Sequence, residues 1–93
     1  MIRDFADREA EKLRHGTPSR RLPRDIQHVA RRKLRMLNSA TTLDDLRILP
    51  ANRLEASRGG RKGQHRIRAN DPWRACFRWK DGDAHDVEIV DYF

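Results

Sequence analysis

The sequence has few of the residues that crosslink a chain, bind metal ions or cross a membrane. Its single cysteine, Cys76, rules out an internal disulfide framework and a cysteine metal site. No apolar run approaches the ~18 residues of a membrane span, and no apolar stretch follows the charged N-terminal residues as in a signal peptide. The four histidines lack metal-ligand spacing. These absences predict a protein of the reducing cytoplasm that uses no metal or cofactor.

Apolar residues are also scarce. They make up 37% of the chain and charged residues 38%, so a core must come from a few well-placed side chains. A length of 93 residues suffices for one modest core. Since no repeat, low-complexity tract or linker divides the chain, we expect one domain over residues 1–93.

What the sequence has in excess is arginine. Lys and Arg together number 21 against 14 Asp and Glu, giving a net charge of +7 and a pI near 10.7. Most of these cations are arginines, which contact phosphate in a bidentate manner better than lysine does. This balance favours nucleic acid as the partner, while an acidic protein partner or plain solubility stays open.

The first half of the chain has helical patterns, after a short strand-like start at Ile2–Phe5. Asp7 caps a helix that Gly16 ends, and Pro23 opens a second helix that ends at Asn38 and Ser39. A one-turn helix with a threonine cap follows. The second helix has an apolar stripe and an opposite basic side, interpreted as a solvated face, that carries Arg24, His28, Arg31, Arg32 and Arg35.

After Pro50 the hydrophobic period changes from 3.6 to 2. His65 falls on the apolar face, where a packed core histidine is favoured over a catalytic one. The pattern predicts an α+β fold in which the helices precede an antiparallel meander. Its four strands are expected at Arg53–Ser57, Gln64–Ala69, Trp73–Trp79 and Ala84–Tyr92.

The register of the last hairpin has two solutions. A two-residue turn at Asp81–Gly82 would place Asp86 opposite Phe77 and Glu88 opposite Ala75, which buries two carboxylates. A three-residue loop instead places Val87 opposite Phe77 and Ile89 opposite Ala75. We predict the three-residue loop because a one-residue slip turns the core outward. Arg78 would then lie opposite Asp86.

The preceding hairpin brings two arginines together on the other face. Its register places Ala69 opposite Trp73 and Arg68 opposite Arg74. Like charges directly opposite destabilise a sheet, so this pair needs a counter-charge. A carboxylate such as Glu55 or Glu88, or a bound phosphate, can supply it.

A glycine-containing loop at residues 58–62 precedes these strands. Arg58, Arg61 and Lys62 bring three cations to the start of the strand that carries Arg66 and Arg68. Glycines let the backbone approach an anion closely, so this loop is expected to extend the phosphate-binding surface.

Several segments in order resemble the HigB-type toxins of the RelE/ParE toxin–antitoxin superfamily. The resemblance implies two N-terminal helices packed on a curved antiparallel sheet and a metal-free, ribosome-dependent mRNA endoribonuclease of the bacterial cytoplasm. It also implies a HigA-type helix-turn-helix antitoxin, with operator DNA contacted only through that antitoxin. The segments are Ser19–Pro23, Arg32–Leu37, Asp45–Arg47, Pro50–Glu55, Gly63–Arg68, Trp73–Phe77 and Asp86–Tyr92.

The resemblance further implies a catalytic set. Arg58 takes the place of the family's active-site lysine, and Arg74 matches its sheet arginine. Asp91 and Tyr92 match the family's C-terminal Asp-Tyr-His, but Phe93 stands where the histidine would be. Arg61, Lys62, Arg66 and Arg68 are then expected to bind RNA.

Attack of a 2′-hydroxyl on the adjacent phosphate builds negative charge on the phosphoryl oxygens. Arg74 would stabilise this charge, with help from Arg58 and Arg68. Asp91 is a candidate base, or merely a strand-end carboxylate paired with an arginine, and Tyr92 could stack or relay a proton. Because Phe93 cannot transfer a proton, one alternative is a member that binds ribosome and antitoxin but cleaves weakly. The other is the gyrase-poisoning branch, which the HigB-like motifs disfavour.

Overall fold

The computed structural model describes residues 1–56, 63–70 and 72–91. The fold is α+β, as the sequence predicts, and its sheet is an antiparallel meander with strand order β1-β2-β3-β4. The helices are α1 (Arg8–Arg14), α2 (Arg24–Ser39) and α3 (Leu43–Arg47), followed by a 3₁₀ turn at Pro50–Asn52. The strands are β1 (Glu55–Ala56), β2 (Gln64–Asn70), β3 (Trp73–Lys80) and β4 (Asp83–Asp91).

The helices begin where capping chemistry allows. The Asp7 carboxylate accepts the Glu9 N–H at 3.0 Å, and Thr42 forms a capping box with Asp45. Helix α2 begins one residue later than predicted, because Pro23 is extended (ψ 140°) and serves as the N-cap. Among the described residues, no helix has the length and apolar character required to span a membrane.

The core lies between the helices and one face of the sheet. Residues two apart on a strand share a face, so alternate residues of β2, β3 and β4 meet the apolar stripe of α2. His65 stacks on Phe77 with ring centroids 6.1 Å apart, and burial lowers the pKa of its imidazole. His65 is half-buried and packs on the apolar face of the sheet, as predicted. The large apolar members of this core are Leu13, Leu22, Ile26, Leu34, Leu37, Leu46, Ile67, Phe77, Val87 and Ile89.

The β3–β4 hairpin has one register next to its turn and the other register further along the strands. Asp81 and Gly82, both with positive φ, form a two-residue turn, so the predicted three-residue loop is wrong. A bulge at Asp86 (φ 52°) then adds one residue, and Ala75 pairs with Ile89 as predicted.

The bulge also changes the partner of Arg78. Because the extra residue follows His85, Arg78 lies opposite His85 rather than opposite Asp86 as predicted. Its Nε still lies 3.4 Å from Asp86 Oδ2, so the ion pair forms on the diagonal.

The β2–β3 pairing confirms the predicted meeting of two arginines. Arg68 lies directly opposite Arg74. The register shifts after Arg68, and Asn70 rather than Ala69 pairs with Trp73, because an irregularity at the strand end takes up one residue.

The N-terminal segment adds to the outer edge of β4. Ile2 bridges Ala84 and Phe5 bridges Val87 in parallel, and the Ala6 N–H donates to the Val87 carbonyl at 2.9 Å. The Asp4 carboxylate accepts the backbone N–H of the bulge residue, Asp86. Residues 1–6 therefore cover the first half of an otherwise open sheet edge.

A buried polar pair joins α2 to the segment before β1. Lys33 falls on the apolar side of α2 and is only 5% exposed, while Asn52 is completely buried. Lys33 Nζ donates to Asn52 Oδ1 at 2.6 Å, and Asn52 Nδ2 donates to the Leu46 carbonyl at 3.1 Å. Asn52 thus holds α2, α3 and the 3₁₀ turn together.

Replacing Asn52 should be costly. We expect Asn52→Ala to lower the free energy of unfolding by about 2–4 kcal/mol, because it leaves the buried Lys33 ammonium and the Leu46 carbonyl without their partners. Asn38→Ala is the matched control, since it removes only a half-buried bond to the Ile2 N–H and should cost about 1 kcal/mol. Urea denaturation at pH 7 measures both losses, and equal losses would contradict this role.

The buried Lys33 ammonium should also make the free energy of unfolding change with pH in the alkaline range. Burial, followed by the charges of Arg32 and Arg68, lowers the pKa of Lys33 below its usual 10.5. Between the lowered pKa and 10.5 the unfolded chain binds more protons than the folded one, so stability rises with pH in that window.

Lys33→Met lacks this titration and is the reference. We expect the stability of the wild type relative to Lys33→Met to increase from pH 7 to pH 10 in chemical denaturation. A pH-independent difference would show that the buried ammonium carries no such penalty.

Candidate functional site

The sheet face turned away from the helices carries the residues that the sequence singled out for phosphate binding. Helices cover the face that carries Ile67, Ala75 and Phe77, so the alternating positions point to the other side. We call this second side the arginine face. Its members are Glu55, Gln64, Arg66, Arg68, Arg74, Cys76, Arg78, Glu88 and Val90.

Arg68 and Arg74 form the centre of the arginine face. They are directly opposite each other, and both are half-buried. Arg74 Nη1 donates to the Trp73 carbonyl at 3.0 Å and to the Asn70 carbonyl at 3.4 Å. Partial burial lowers the effective dielectric constant around the two guanidinium groups and strengthens their attraction for an anion.

Carboxylates on this face are placed beside the arginine pair. Glu55 Oε2 lies 2.8 Å from Arg66, so this candidate counter-charge belongs to Arg66. Glu88 lies opposite Cys76, one pair along from Arg74, which is a diagonal within reach of a long side chain. The two counter-charges that the sequence offered therefore flank the arginine pair.

Asp91 lies on the other side of the sheet. It is exposed and pairs with Trp73, whose side chain packs against the core, so the register directs Asp91 to the side of the helices. It lines a cavity of about 350 Å³ together with Arg21 and Leu22. The structure thus does not bring Asp91 together with Arg74.

Five predicted site residues lie outside the described part of the chain. The roles expected of the basic loop and of the C-terminal residues remain predictions. These residues are Arg58, Arg61, Lys62, Tyr92 and Phe93. Across residues 1–56, 63–70 and 72–91, no three His, Cys, Asp or Glu side chains come together to hold a metal ion.

Sequence reasoning missed Lys33 as a buried cation on the apolar side of α2. Burial, followed by the charges of Arg32 and Arg68, lowers the pKa of Lys33, whose Nζ donates to Asn52 Oδ1. The signal was present in the sequence: Lys33 stands seven residues after Ile26, on the apolar stripe of α2.

Chemically, the arginine face is suited to hold a phosphodiester. Two neighbouring guanidinium groups present planar forks of N–H donors that match phosphoryl oxygens. Such donors are fixed before a substrate binds, so they can stabilise charge that develops in a transition state.

Comparisons with known proteins show to which family the sequence is similar. Residues 3–93 match the family described as RelE-like toxin of type II toxin-antitoxin system HigB. The chain is 39% identical to Toxin HigB-1 of Vibrio cholerae serotype O1 over 85 residues, which covers 90% of each chain. It is 26% identical to an uncharacterized protein of Haemophilus influenzae over 75 residues, 81% of this chain and 74% of that protein. An arginine-lined α+β sheet and a family match over nearly the whole sequence lead to one conclusion: this chain belongs to the RelE-like HigB toxins of type II toxin–antitoxin systems.

Proposed function

We propose that this toxin is a ribosome-dependent mRNA endoribonuclease that inhibits translation. A single observation carries the proposal: in a HigB-family chain, Arg68 and Arg74 lie side by side and half-buried on the sheet face that is turned away from the helices. A type II toxin has an antitoxin partner, and we propose a HigA-type helix-turn-helix protein that alone contacts operator DNA. The site of action is the bacterial cytoplasm, where ribosomes translate.

In the proposed reaction, the 2′-hydroxyl of one nucleotide attacks the adjacent phosphorus, and the 5′-oxygen of the next nucleotide leaves. Negative charge grows on the phosphoryl oxygens, and the guanidinium of Arg74 stabilises it, assisted by Arg68 and Arg58. Arg66, Arg61 and Lys62 bind neighbouring phosphates. The arginines supply the positive charge, so this scheme assigns no role to a metal ion.

The register of β4 limits which residues can transfer protons at Arg74. Asp91 remains a candidate base, but the pairing with Trp73 directs it to the other side of the sheet from Arg74. Direct proton abstraction by Asp91 therefore needs a local rearrangement at the end of β4. Tyr92 follows Asp91 in the chain and is the alternative group for proton relay or stacking. A bound ribosome would supply part of the missing geometry by holding the mRNA in a reactive conformation.

A second candidate function rests on Phe93. A phenyl ring cannot donate or accept the proton that the family histidine could, although it can stack on a base. The chain would then bind the ribosome and the antitoxin while cleaving weakly. Translation assays separate the candidates: arrest with cut mRNA supports the nuclease, binding without cuts supports the second function, and arrest with DNA damage indicates a gyrase poison.

Arg74 should matter to the chemical step. We expect Arg74→Gln to lower the single-turnover rate of mRNA cleavage on saturating programmed ribosomes by about 10²–10³-fold, the cost of losing one donor to a developing oxyanion. Arg47→Gln is the matched control: it removes the same charge from exposed α3, where Arg47 pairs with Asp44, and should leave the rate within about threefold. If the two variants cleave equally, the arginine face is not the active site.

Phe93→His should restore an acid–base group. We expect cleavage to increase by about 10²–10⁴-fold, the usual contribution of one general acid or base, with unchanged affinity for ribosomes. Cleaved mRNA and ribosome affinity are measured on the same preparations. Equal cleavage by wild type and Phe93→His would show that proton transfer does not depend on this position.

A further inference from the structure

A cavity of about 420 Å³ lies near the turn of the β3–β4 hairpin, where it adjoins the arginine face. This volume is in the range of pockets that hold small ligands. Arg78 belongs both to the lining and to the arginine face, so the two surfaces are continuous. We call it the hairpin cavity. The lining residues that carry its chemistry are Asp4, Gly63, Arg78, Lys80, His85 and Asp86.

Arg78 is held in position before any ligand binds. A methyl group added at Gly63 would lie 2.9 Å from Arg78 Nη1, so the guanidinium rests against the backbone at Gly63. The Nε atom of the same side chain lies 3.4 Å from Asp86 Oδ2. Such pre-positioning reduces the entropy that is lost on binding. The Arg78 side chain is still 47% exposed, so a phosphate can reach it.

Two carboxylates place acceptors beside these cations. Asp86 is exposed, and the bulge fixes its position because its backbone N–H donates to the Asp4 carboxylate. That hydrogen bond is the main reason that the pKa of Asp4 lies below its usual 3.8, so Asp4 is ionised at neutral pH. The other Asp4 oxygen lies 3.3 Å from His85 Nδ1. The cavity therefore combines fixed donors and fixed acceptors.

This combination of charges indicates the class of ligand. The carboxylates repel an acidic peptide, and Arg78 and Lys80 repel a basic one. A nucleotide has both an anionic phosphate and, on adenine, cytosine or guanine, an amino group that donates hydrogen bonds. His85, half-buried and opposite Arg78 in the sheet, supplies an aromatic ring of the kind on which single-stranded bases stack.

The hairpin cavity is displaced from the centre of the arginine face. Arg74 and Arg78 lie on one side of β3, and the four residues between their positions span about 13 Å of extended strand. A nucleotide in the cavity is therefore a neighbour of the phosphate that Arg74 would hold, and its own phosphate is not the one that is cleaved.

We propose that the hairpin cavity binds one nucleotide of the mRNA beside the cleavage position and favours a base with an amino group over uracil. Arg78 binds the phosphate, and the Asp86 carboxylate accepts a hydrogen bond from the amino group. Uracil has a carbonyl oxygen where cytosine has this amino group, and the oxygen leaves the carboxylate without a donor. The inference rests on the proposed function, because the cavity would select where the nuclease cuts.

The first test measures the binding of cytidine and uridine 5′-monophosphates to the full chain by two-dimensional NMR titration. We expect cytidine monophosphate to bind about 5–10-fold more tightly, because it alone donates to the exposed carboxylate. The amide signals of Gly63, Arg78 and His85 should shift, while those of Leu13 and Gln27, which line another cavity, should not. Equal affinities, or shifts confined to other parts of the molecule, would overturn the proposal.

The variant Asp86→Asn tests the group that reads the base. Asparagine tolerates the positive φ of 52° at this position, and its amide can donate to uracil, so the preference for cytidine monophosphate should disappear. Asp44→Asn is the matched control, since it also removes an exposed carboxylate that pairs with an arginine, and it should keep the preference. The readout is the ratio of two affinities, which a general change in folding or phosphate binding leaves unaltered. A preference that survives in Asp86→Asn contradicts the assignment.

Arg78→Gln separates the phosphate contact from the base contact. It should weaken the binding of both nucleotides alike, because a phosphate contact carries no base information. An unchanged affinity for both nucleotides would remove Arg78 from the site and overturn the proposal.

The final test uses ribosomes programmed with mRNAs that carry cytosine or uracil at single positions around the cut. We expect one position at which cytosine raises the single-turnover cleavage rate by about 5–10-fold, and we expect Asp86→Asn to abolish this difference. If cytidine monophosphate is preferred in solution but no mRNA position shows a preference, the cavity binds free nucleotides and the assignment to mRNA is overturned. If the wild type cuts no mRNA while the NMR results hold, the proposed nuclease activity fails and the nucleotide site stands.

Discussion

The burial of Phe77 between α2 and the sheet is the constraint on which the rest of this structure depends. Phe77 is completely buried, and a one-residue slip of β3 would expose it. Burying such a side chain is worth about 1.5–3 kcal/mol, whereas two like charges placed opposite each other cost about 0.2–1 kcal/mol. The core therefore fixes the register of β3. The smaller cost of the repulsion between Arg68 and Arg74 follows from that register. The chemistry of the arginine face is thus assembled by the packing of the opposite face.

In the β3–β4 hairpin, the local turn preference and the hydrophobic pattern predict two different registers. The molecule satisfies both. Asp81–Gly82 has the composition of a tight turn, and Val87 has to be buried. The bulge at Asp86 satisfies both, and its backbone N–H is bonded to Asp4, 82 residues away in the chain. No pattern within the hairpin reveals that partner, so the bulge could not be predicted from the local sequence.

The site was predictable to the extent that it follows from alternation along a strand. Arg68 and Arg74 were placed correctly because the hairpin between them is short and its apolar residues are unambiguous. Asp91 was assigned by resemblance to a C-terminal motif, without regard to the side of the sheet that its register dictates. Lys33 was missed because lysine is charged, although its hydrocarbon stem lets it occupy an apolar stripe when an acceptor such as Asn52 meets the ammonium.

The parallel bridges between the N-terminal segment and β4 join the two ends of the sequence. Ile2 and Ala84 are 82 residues apart in the chain, and so are Phe5 and Val87. Contacts of such long sequence separation form only after the intervening chain has been made and ordered. The edge of the sheet therefore closes only after translation has passed β4. For a toxin proposed to act on ribosomes, this order of events delays the closed sheet edge until the ribosome has made β4.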